Sequence, residues 1–264
     1  MWKPQLLALL SLAACDGLGG LTNDTPTTSN PYPPLTLSSA VGKTYVPAGP
    51  TMVTGNGFDV VGDRSATITV VSATQLLVNN SLTLNLQSDG KTFKSDDGSY
   101  KLVVNGNVEG FTTDQVLYML ASEELKVEGQ WQTTAYVMGI TTLAADIPTS
   151  GTATYSGKMT VFNDAGVETT MEGPTLTVDL LRATVNGTVP YGTNVATLTP
   201  TALDQGTFLT TMSSGGSTPV ITGTIDGTMF GASGKEIAGT VGIQYNPGGT
   251  ATESVVGYYG TTTP

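Results

Sequence analysis

From Leu35 onward, apolar side chains recur at every second position over short runs, and turn residues separate the runs. Thr67-Ile68-Thr69-Val70-Val71 and Leu82-Thr83-Leu84-Asn85-Leu86 place alternate side chains on one face, the period of a half-buried strand. Asp89-Gly90, Asp97-Gly98 and Asn105-Gly106 are dipeptides that supply the positive φ of a tight hairpin, and their succession predicts a meander. One stretch lacks the alternation. Gln115-Val116-Leu117-Tyr118-Met119-Leu120 is apolar on consecutive positions, and Thr112-Thr113-Asp114 before it is a cap sequence, so residues 115–121 fit a short helix or a strand. Leu125 to Thr142, with Trp131, Tyr136 and Met138, returns to strand-like alternation.

Pro148-Thr149-Ser150-Gly151 marks a boundary. Beyond it, strand-like runs lie at Ala153 to Phe162, Thr175 to Leu181, Ala183 to Val189, Thr207 to Met212, Val220 to Ile225, Glu236 to Tyr245 and Glu253 to Tyr259, with one more within Tyr191 to Leu198. Asp164 to Gly166, Asn186-Gly187 and Asp226-Gly227 read as the turns between them. Eight strands suffice to close a barrel that fills its own interior or holds one small ligand, and closure removes exposed edges. The expected fold is all-β: an antiparallel sheet module over 35–147, then an eight-stranded up-and-down barrel over 148–264.

The first 34 residues belong to neither module. Met1-Trp2-Lys3 and the apolar run Gln5 to Leu12 form a signal peptide over 1–14, closed by Leu12-Ala13-Ala14-Cys15. Those four residues resemble the lipobox of bacterial lipoproteins, which implies cleavage before Cys15 and lipidation of Cys15, and hence an anchored protein. Asp16 leaves the choice between inner and outer membrane open. Residues 15–34 read as a lipidated tether rich in Gly, Thr, Asn and Pro, reaching roughly 25 Å as a flexible chain.

Composition narrows the chemistry. The 33 glycines and 12% charged residues suit strands and turns. A net charge of −11 excludes a general nucleic-acid-binding face, which needs clustered Lys and Arg. Histidine is absent, which removes the commonest general base and zinc ligand, and Cys15 is the only cysteine, so the folded part has neither a disulfide nor a thiol nucleophile.

The segments Pro148-Thr149-Ser150-Gly151-Thr152-Ala153-Thr154-Tyr155-Ser156-Gly157, Leu176-Thr177-Val178-Asp179-Leu180, Gly223-Thr224-Ile225-Asp226-Gly227-Thr228-Met229-Phe230-Gly231, Lys235-Glu236-Ile237-Ala238-Gly239-Thr240 and Val255-Val256-Gly257-Tyr258-Tyr259-Gly260 occur in order at barrel spacing. Together they resemble the barrel domain of transferrin-binding-protein-B-like surface lipoproteins of Gram-negative bacteria. The resemblance implies a preceding "handle" sheet, a single handle-plus-barrel lobe, and an acid such as Glu236 tying a loop to the barrel wall. It further implies an outer-membrane, cell-surface location, anchored through acyl chains on Cys15. The implied role is binding or accessory, with a protein or small-molecule ligand and an outer-membrane transporter as partners in iron or other nutrient uptake. A structural or adhesive surface protein is the alternative. No ligand-contact residue carries over.

Searches for catalysis find little. Gly231-Ala232-Ser233-Gly234-Lys235-Glu236 has Met229 and Glu236 where a phosphate loop needs Gly and Ser or Thr. Ser95-Asp96-Asp97-Gly98 reads as a hairpin turn rather than a calcium loop. Glu123 and Glu124, adjacent in sequence, point apart on a strand or a helix and make a poor acid–base pair. Tyr258 and Tyr259 are expected one inside the barrel and one presented on its surface. The chain reads as non-enzymatic, with no catalytic, metal or cofactor residue to name.

Overall fold

The computed structural model describes residues 32–263 apart from 55–59, 109–110, 112, 126–129, 164, 217–218 and 249–251, and its strands fall into two antiparallel sheets. The first contains β1 (Thr44–Tyr45), β2 (Ala48–Thr54), β3 (Val60–Ser65), β4 (Ile68–Ser72) and β5 (Gln75–Val78). It continues with β6 (Leu82–Leu86), β7 (Thr92–Lys94), β8 (Tyr100–Asn105), β9 (Val116–Glu124) and β10 (Trp131–Gly139), in the order β1-β4-β5-β6-β7-β8-β9-β10-β2-β3. From β4 to β10 each strand pairs with the next, as the turn dipeptides predict.

The two ends of that order are pieces of one hairpin. β1 and β2 are separated only by Val46-Pro47, β3 and β4 only by Ala66-Thr67, and the Ala66 amide donates to the Pro47 carbonyl at 3.0 Å across the break. The sheet therefore curls until its ends meet, around a core that includes Ile68, Leu76, Leu84, Phe93, Leu102 and Met119. Pro47 lies where the strand is interrupted, which suits a residue with no amide to donate.

The second sheet is the barrel: β11 (Thr152–Asn163), β12 (Glu168–Asp179), β13 (Thr184–Tyr191), β14 (Asn194–Leu198), β16 (Thr207–Ser213), β17 (Val220–Phe230), β18 (Glu236–Asn246) and β19 (Glu253–Thr262). Neighbours in sequence pair, β19 pairs with β11 to close the ring, and the two-residue β15 (Thr201–Ala202) adds to β13. Each predicted barrel strand is present, although β12 starts at Glu168, opposite Phe162, rather than at Thr175. The lumen is filled by side chains, among them Met159, Leu176, Val189, Phe208, Ile225 and Tyr259.

Residues 116–121 lie in strand, and Gln115 in the bend before it. β9 alternates like any strand, but Leu117, Met119 and Ala121 enter the first core while Val116 and Tyr118 enter the contact with the barrel. Burial on both faces erases the polar half of the alternation, which is why the run is equally compatible with a helix. Three turn readings need correction. Asn105 ends β8 and is followed by a ten-residue connection, while Asn186-Gly187 and Asp226-Gly227 lie inside β13 and β17. There the glycines serve close approach. A Cβ on Gly187 would stand 2.3 Å from the Thr175 carbonyl oxygen.

Candidate functional site at the junction of the two sheets

β18 and β19 are buried along almost their whole length, unlike the other barrel strands, because their outer faces meet the curled sheet. Inward residues Ile237, Val241, Val255 and Tyr259 fill the barrel, and outward residues Ala238 and Tyr258 pack with Val116, Tyr118, Ala135, Phe162 and Phe230. Tyr258 is therefore not a surface residue as expected: it is 1% exposed, between the two sheets. Its ring lies 5.1 Å from that of Tyr118 and 5.9 Å from that of Phe162, centroid to centroid. Both hydroxyls are partnered, as buried phenols require. Asn105 Nδ2 donates to the Tyr258 hydroxyl at 2.8 Å, and the Thr113 and Tyr118 hydroxyls are 3.0 Å apart. Burial pushes the Tyr258 phenol up to about 12, the Asn105 bond opposing it. A Cβ at position 260 would fall 2.1 Å from the Tyr118 hydroxyl, so only glycine admits that ring.

Polar contacts seal one end of the junction. The Glu236 carboxylate accepts the Asp114 amide at 3.1 Å and the Gln115 amide at 3.4 Å, the loop-to-barrel tie that the resemblance implies. Burial raises the Glu236 carboxyl above its ordinary value, and the two amides pull the other way. The Thr142 amide donates to the Met229 carbonyl at 3.0 Å, and its hydroxyl donates to the Gly231 carbonyl at 2.8 Å. Tyr32 enters here too. Its hydroxyl donates to Asp146 Oδ2 at 2.5 Å and accepts the Leu143 amide at 2.9 Å, while Gln115 Nε2 donates to its carbonyl at 3.2 Å. The chain arriving from the predicted tether is thus held beside both sheets.

A second polar knot lies in the barrel wall. Asp226 Oδ1 accepts the Thr240 amide at 2.6 Å and Oδ2 accepts the Thr240 hydroxyl at 2.8 Å, while the Asp226 carbonyl accepts the hydroxyl of buried Tyr259 at 2.6 Å. The peptide carbonyl serves the tyrosine inside, and the carboxylate takes the strand amide in its place.

The other candidates are dispersed. Ser95-Asp96-Asp97-Gly98 is a turn, with Asp97 Oδ1 accepting the Ser95 and Ser99 hydroxyls and Gly98 at φ 73°. Glu123 lies 3.7 Å from Arg64, both exposed enough for the pair to count little, and Glu124 follows it at the exposed end of β9. Gly231 to Glu236 forms a 3-10 turn over Ala232–Gly234 and the start of β18. No group of three or more acidic or cysteine side chains among the described residues is placed to hold a metal. The signal peptide expected over 1–14, Cys15 and the tether as far as residue 31 lie outside the described residues. Tyr118, Asp226 and Tyr32 escaped sequence reading. The available signal was the doubly apolar run for Tyr118, and for Asp226 an acid–glycine pair placed mid-strand.

No known protein-family profile matches the chain, and no curated protein sequence does. Among solved structures it is similar to a mutant of transferrin binding protein B from Haemophilus parasuis, at 11% identity and a TM-score of 0.48, over 84% of this chain and 45% of that one. It is also similar to isotype 1 transferrin binding protein B from serogroup B Neisseria meningitidis, at 17% identity and a TM-score of 0.46, over 83% and 44%. The chain spans less than half the length of these proteins.

Proposed function

We propose that this is a lipid-anchored bacterial surface protein that binds a partner on its outer surface and performs no bond-making of its own. The observation that carries the reading is the handle-and-barrel lobe clamped at Tyr32, directly after a segment that begins at Leu12-Ala13-Ala14-Cys15. Two further features support it. The barrel lumen is packed with side chains, which directs ligand contact to the outside, and the sealed junction makes one rigid support for the loops of both sheets. Attachment through acyl chains on Cys15 is the anchoring route proposed, on the lipobox resemblance of Leu12-Ala13-Ala14-Cys15. The sequence resemblance supplies the partner class: a protein-bound or free nutrient, iron foremost, delivered to an outer-membrane transporter.

The test is expression with the native leader in a Gram-negative host. Metabolic labelling with a fatty-acid analogue is expected to mark the wild type and not Cys15→Ser, and protease added to intact cells is expected to digest the lobe. A saturable partner captured from the native medium, together with loss of nutrient uptake on deletion, supports the binding role. Altered attachment with unchanged uptake supports an adhesive role instead.

A further inference from the structure

The barrel ring is joined along only part of one seam. β12 pairs with β13 from Asp179 opposite Thr184 to Thr175 opposite Thr188, and among the described residues no strand pairs with β12 on that side from Glu168 to Gly173. Both strands give the reason. Between Ser156 opposite Thr175 and Lys158 opposite Glu172, Gly157 faces the two residues Gly173-Pro174, a bulge that bends β12. On β13, Tyr191 and Asn194 close a two-residue hairpin with β14, so alternation turns Tyr191 and Val189 to β14 and Pro190 to β12, where a residue without an amide cannot continue the ladder. The hairpin tip then crosses to the far side of the ring, where the Tyr191 ring lies 5.5 Å from that of Tyr245 on β18.

The edge left on β12 has a fixed pattern. Across the β11–β12 turn the Asn163 amide donates to the Val167 carbonyl at 3.2 Å, and pairs that bond across an antiparallel ladder alternate with pairs that do not. Thr169 and Met171 therefore bond β11, while the amides and carbonyls of Glu168, Thr170 and Glu172 point to the open side. The Thr160 and Thr170 hydroxyls, 2.9 Å apart, fit the closer side-chain approach of a pair that does not bond through its backbone. Cavities open on both sides of the parting. One of about 530 Å³ lies outside and is lined in part by Glu172, Gly173, Thr188 and Pro190. The other, of about 200 Å³, lies at the barrel mouth and is lined in part by Thr169, Met171 and Tyr191.

We infer that this edge is a strand-addition site, which takes an extended segment of a partner protein antiparallel to β12 between Glu168 and Glu172. Bonding groups on every second residue, about 6.8 Å apart, are matched by another extended backbone and not by a compact ligand. The register sets the chemistry of the segment. Side chains opposite Thr169 and Met171 enter the barrel mouth beside Tyr191 and are apolar. On the outer face Glu172 is paired with Lys158, whereas Glu168 has no ion pair among the described residues, so the residue opposite Glu168 is basic. A second copy of this chain fits poorly, because antiparallel pairing about Thr170 sets each Glu168 against a Glu172. The inference rests on the outer-surface binding role proposed above and gives that role a place. A peptide titration needs neither the anchor nor a transporter, so failure of this site is told apart from failure of that role.

The probe is the peptide acetyl-Thr-Val-Thr-Val-Lys-amide, titrated into residues 15–264 carrying Cys15→Ser, which retain the whole compact unit from Pro31, with amide exchange followed by NMR. Saturable binding with a dissociation constant of about 1 mM or tighter is expected. Exchange should slow at Glu168, Thr170 and Glu172 and stay unchanged at Thr169 and Met171, which already bond β11. Methylating the backbone nitrogen of the central threonine of the peptide is expected to weaken binding at least about tenfold. Glu168→Lys is expected to weaken it about two- to fivefold, with recovery when glutamate replaces the lysine of the peptide. Thr170→Pro removes the central edge amide without touching a bond to β11 and is expected to abolish binding; if that variant does not fold, the methylated peptide on the wild type decides. Absence of saturable binding, protection without the two-residue alternation, or a methylated peptide that binds as well as its parent would overturn the assignment. Protection of the same three amides by raising the protein concentration alone would assign the edge to a second copy and overturn it as well.

Discussion

Tyr258 lies against Tyr118 with ring planes inclined by 31°, one ring from the barrel and the other from the curled sheet. Neither belongs to the core of its own sheet, so the pair measures how strongly the two are coupled. Tyr258→Ala is expected to cost about 3–5 kcal/mol, and Tyr258→Phe, which gives up the hydroxyl's bonds with Asn105 and Thr160, about 0.5–1.5 kcal/mol. Urea unfolding followed by Trp131 fluorescence and by circular dichroism checks this. The two probes should coincide in the wild type and separate in Tyr258→Ala, because Trp131 sits on the curled sheet and reports that half.

Two carboxylates should give opposite pH slopes. Asp89 accepts the Thr92 hydroxyl at 2.5 Å and the Thr92 amide at 2.8 Å, and these bonds hold its carboxyl down at about 2. A depressed value stabilises the fold above the ordinary Asp range, and that contribution is lost as pH falls towards about 2. Glu236 is raised by burial, so its contribution is fully present below the ordinary Glu value and is lost as pH rises through the folded value. Urea midpoints of wild type, Asp89→Asn and Glu236→Gln measured from about pH 2 to about pH 7 separate the two. The wild-type advantage over Asp89→Asn should shrink on acidification, whereas wild type should lose ground to Glu236→Gln as pH rises.

Glycine-to-alanine changes should divide by what a methyl would meet. At Gly139 it would stand 2.3 Å from the Phe230 ring and 2.7 Å from the Gln115 carbonyl oxygen, and at Gly106 it would meet nothing within 4 Å. Gly139→Ala is expected to destabilise by about 1–3 kcal/mol through displacement at the junction, and Gly106→Ala to stay within about 0.5 kcal/mol of wild type. Thermal melts of the two variants decide it.

Asp226→Ala removes both acceptors of Thr240 and is expected to cost about 1.5–3 kcal/mol, with Asp226→Asn between it and wild type. The Thr240 amide should then exchange with solvent faster, a hydrogen-exchange readout confined to the break in the β17–β18 pairing between Ile225 and Thr228.

Legibility followed the number of faces that a strand buries. Thr207 to Met212 could be recognised because one face meets the lumen and the other meets water, and the pattern is local. Val116 to Ala121 could not be assigned, since the barrel covers the face that would otherwise have been polar. Tyr258 was misplaced for the same reason: alternation correctly set it opposite Tyr259, but no local pattern says that a second sheet lies outside. Glu236 was legible only through resemblance, and Asp226-Gly227 carried the composition of a turn while serving inside a strand.

By itself, then, the sequence determined that the chain is built of strands, where most of them run, and that neighbours such as Tyr258 and Tyr259 face opposite ways, because a period of two is written within a few consecutive residues. Tertiary structure alone decided that the first sheet curls back on its own hairpin, that Tyr118 and Tyr258 meet, and that a cleft opens between Asp226 and Val46-Pro47. The last two features join segments more than a hundred residues apart, as Asp114 and Glu236 are, and contact at that separation depends on how the two sheets pack rather than on any local spacing.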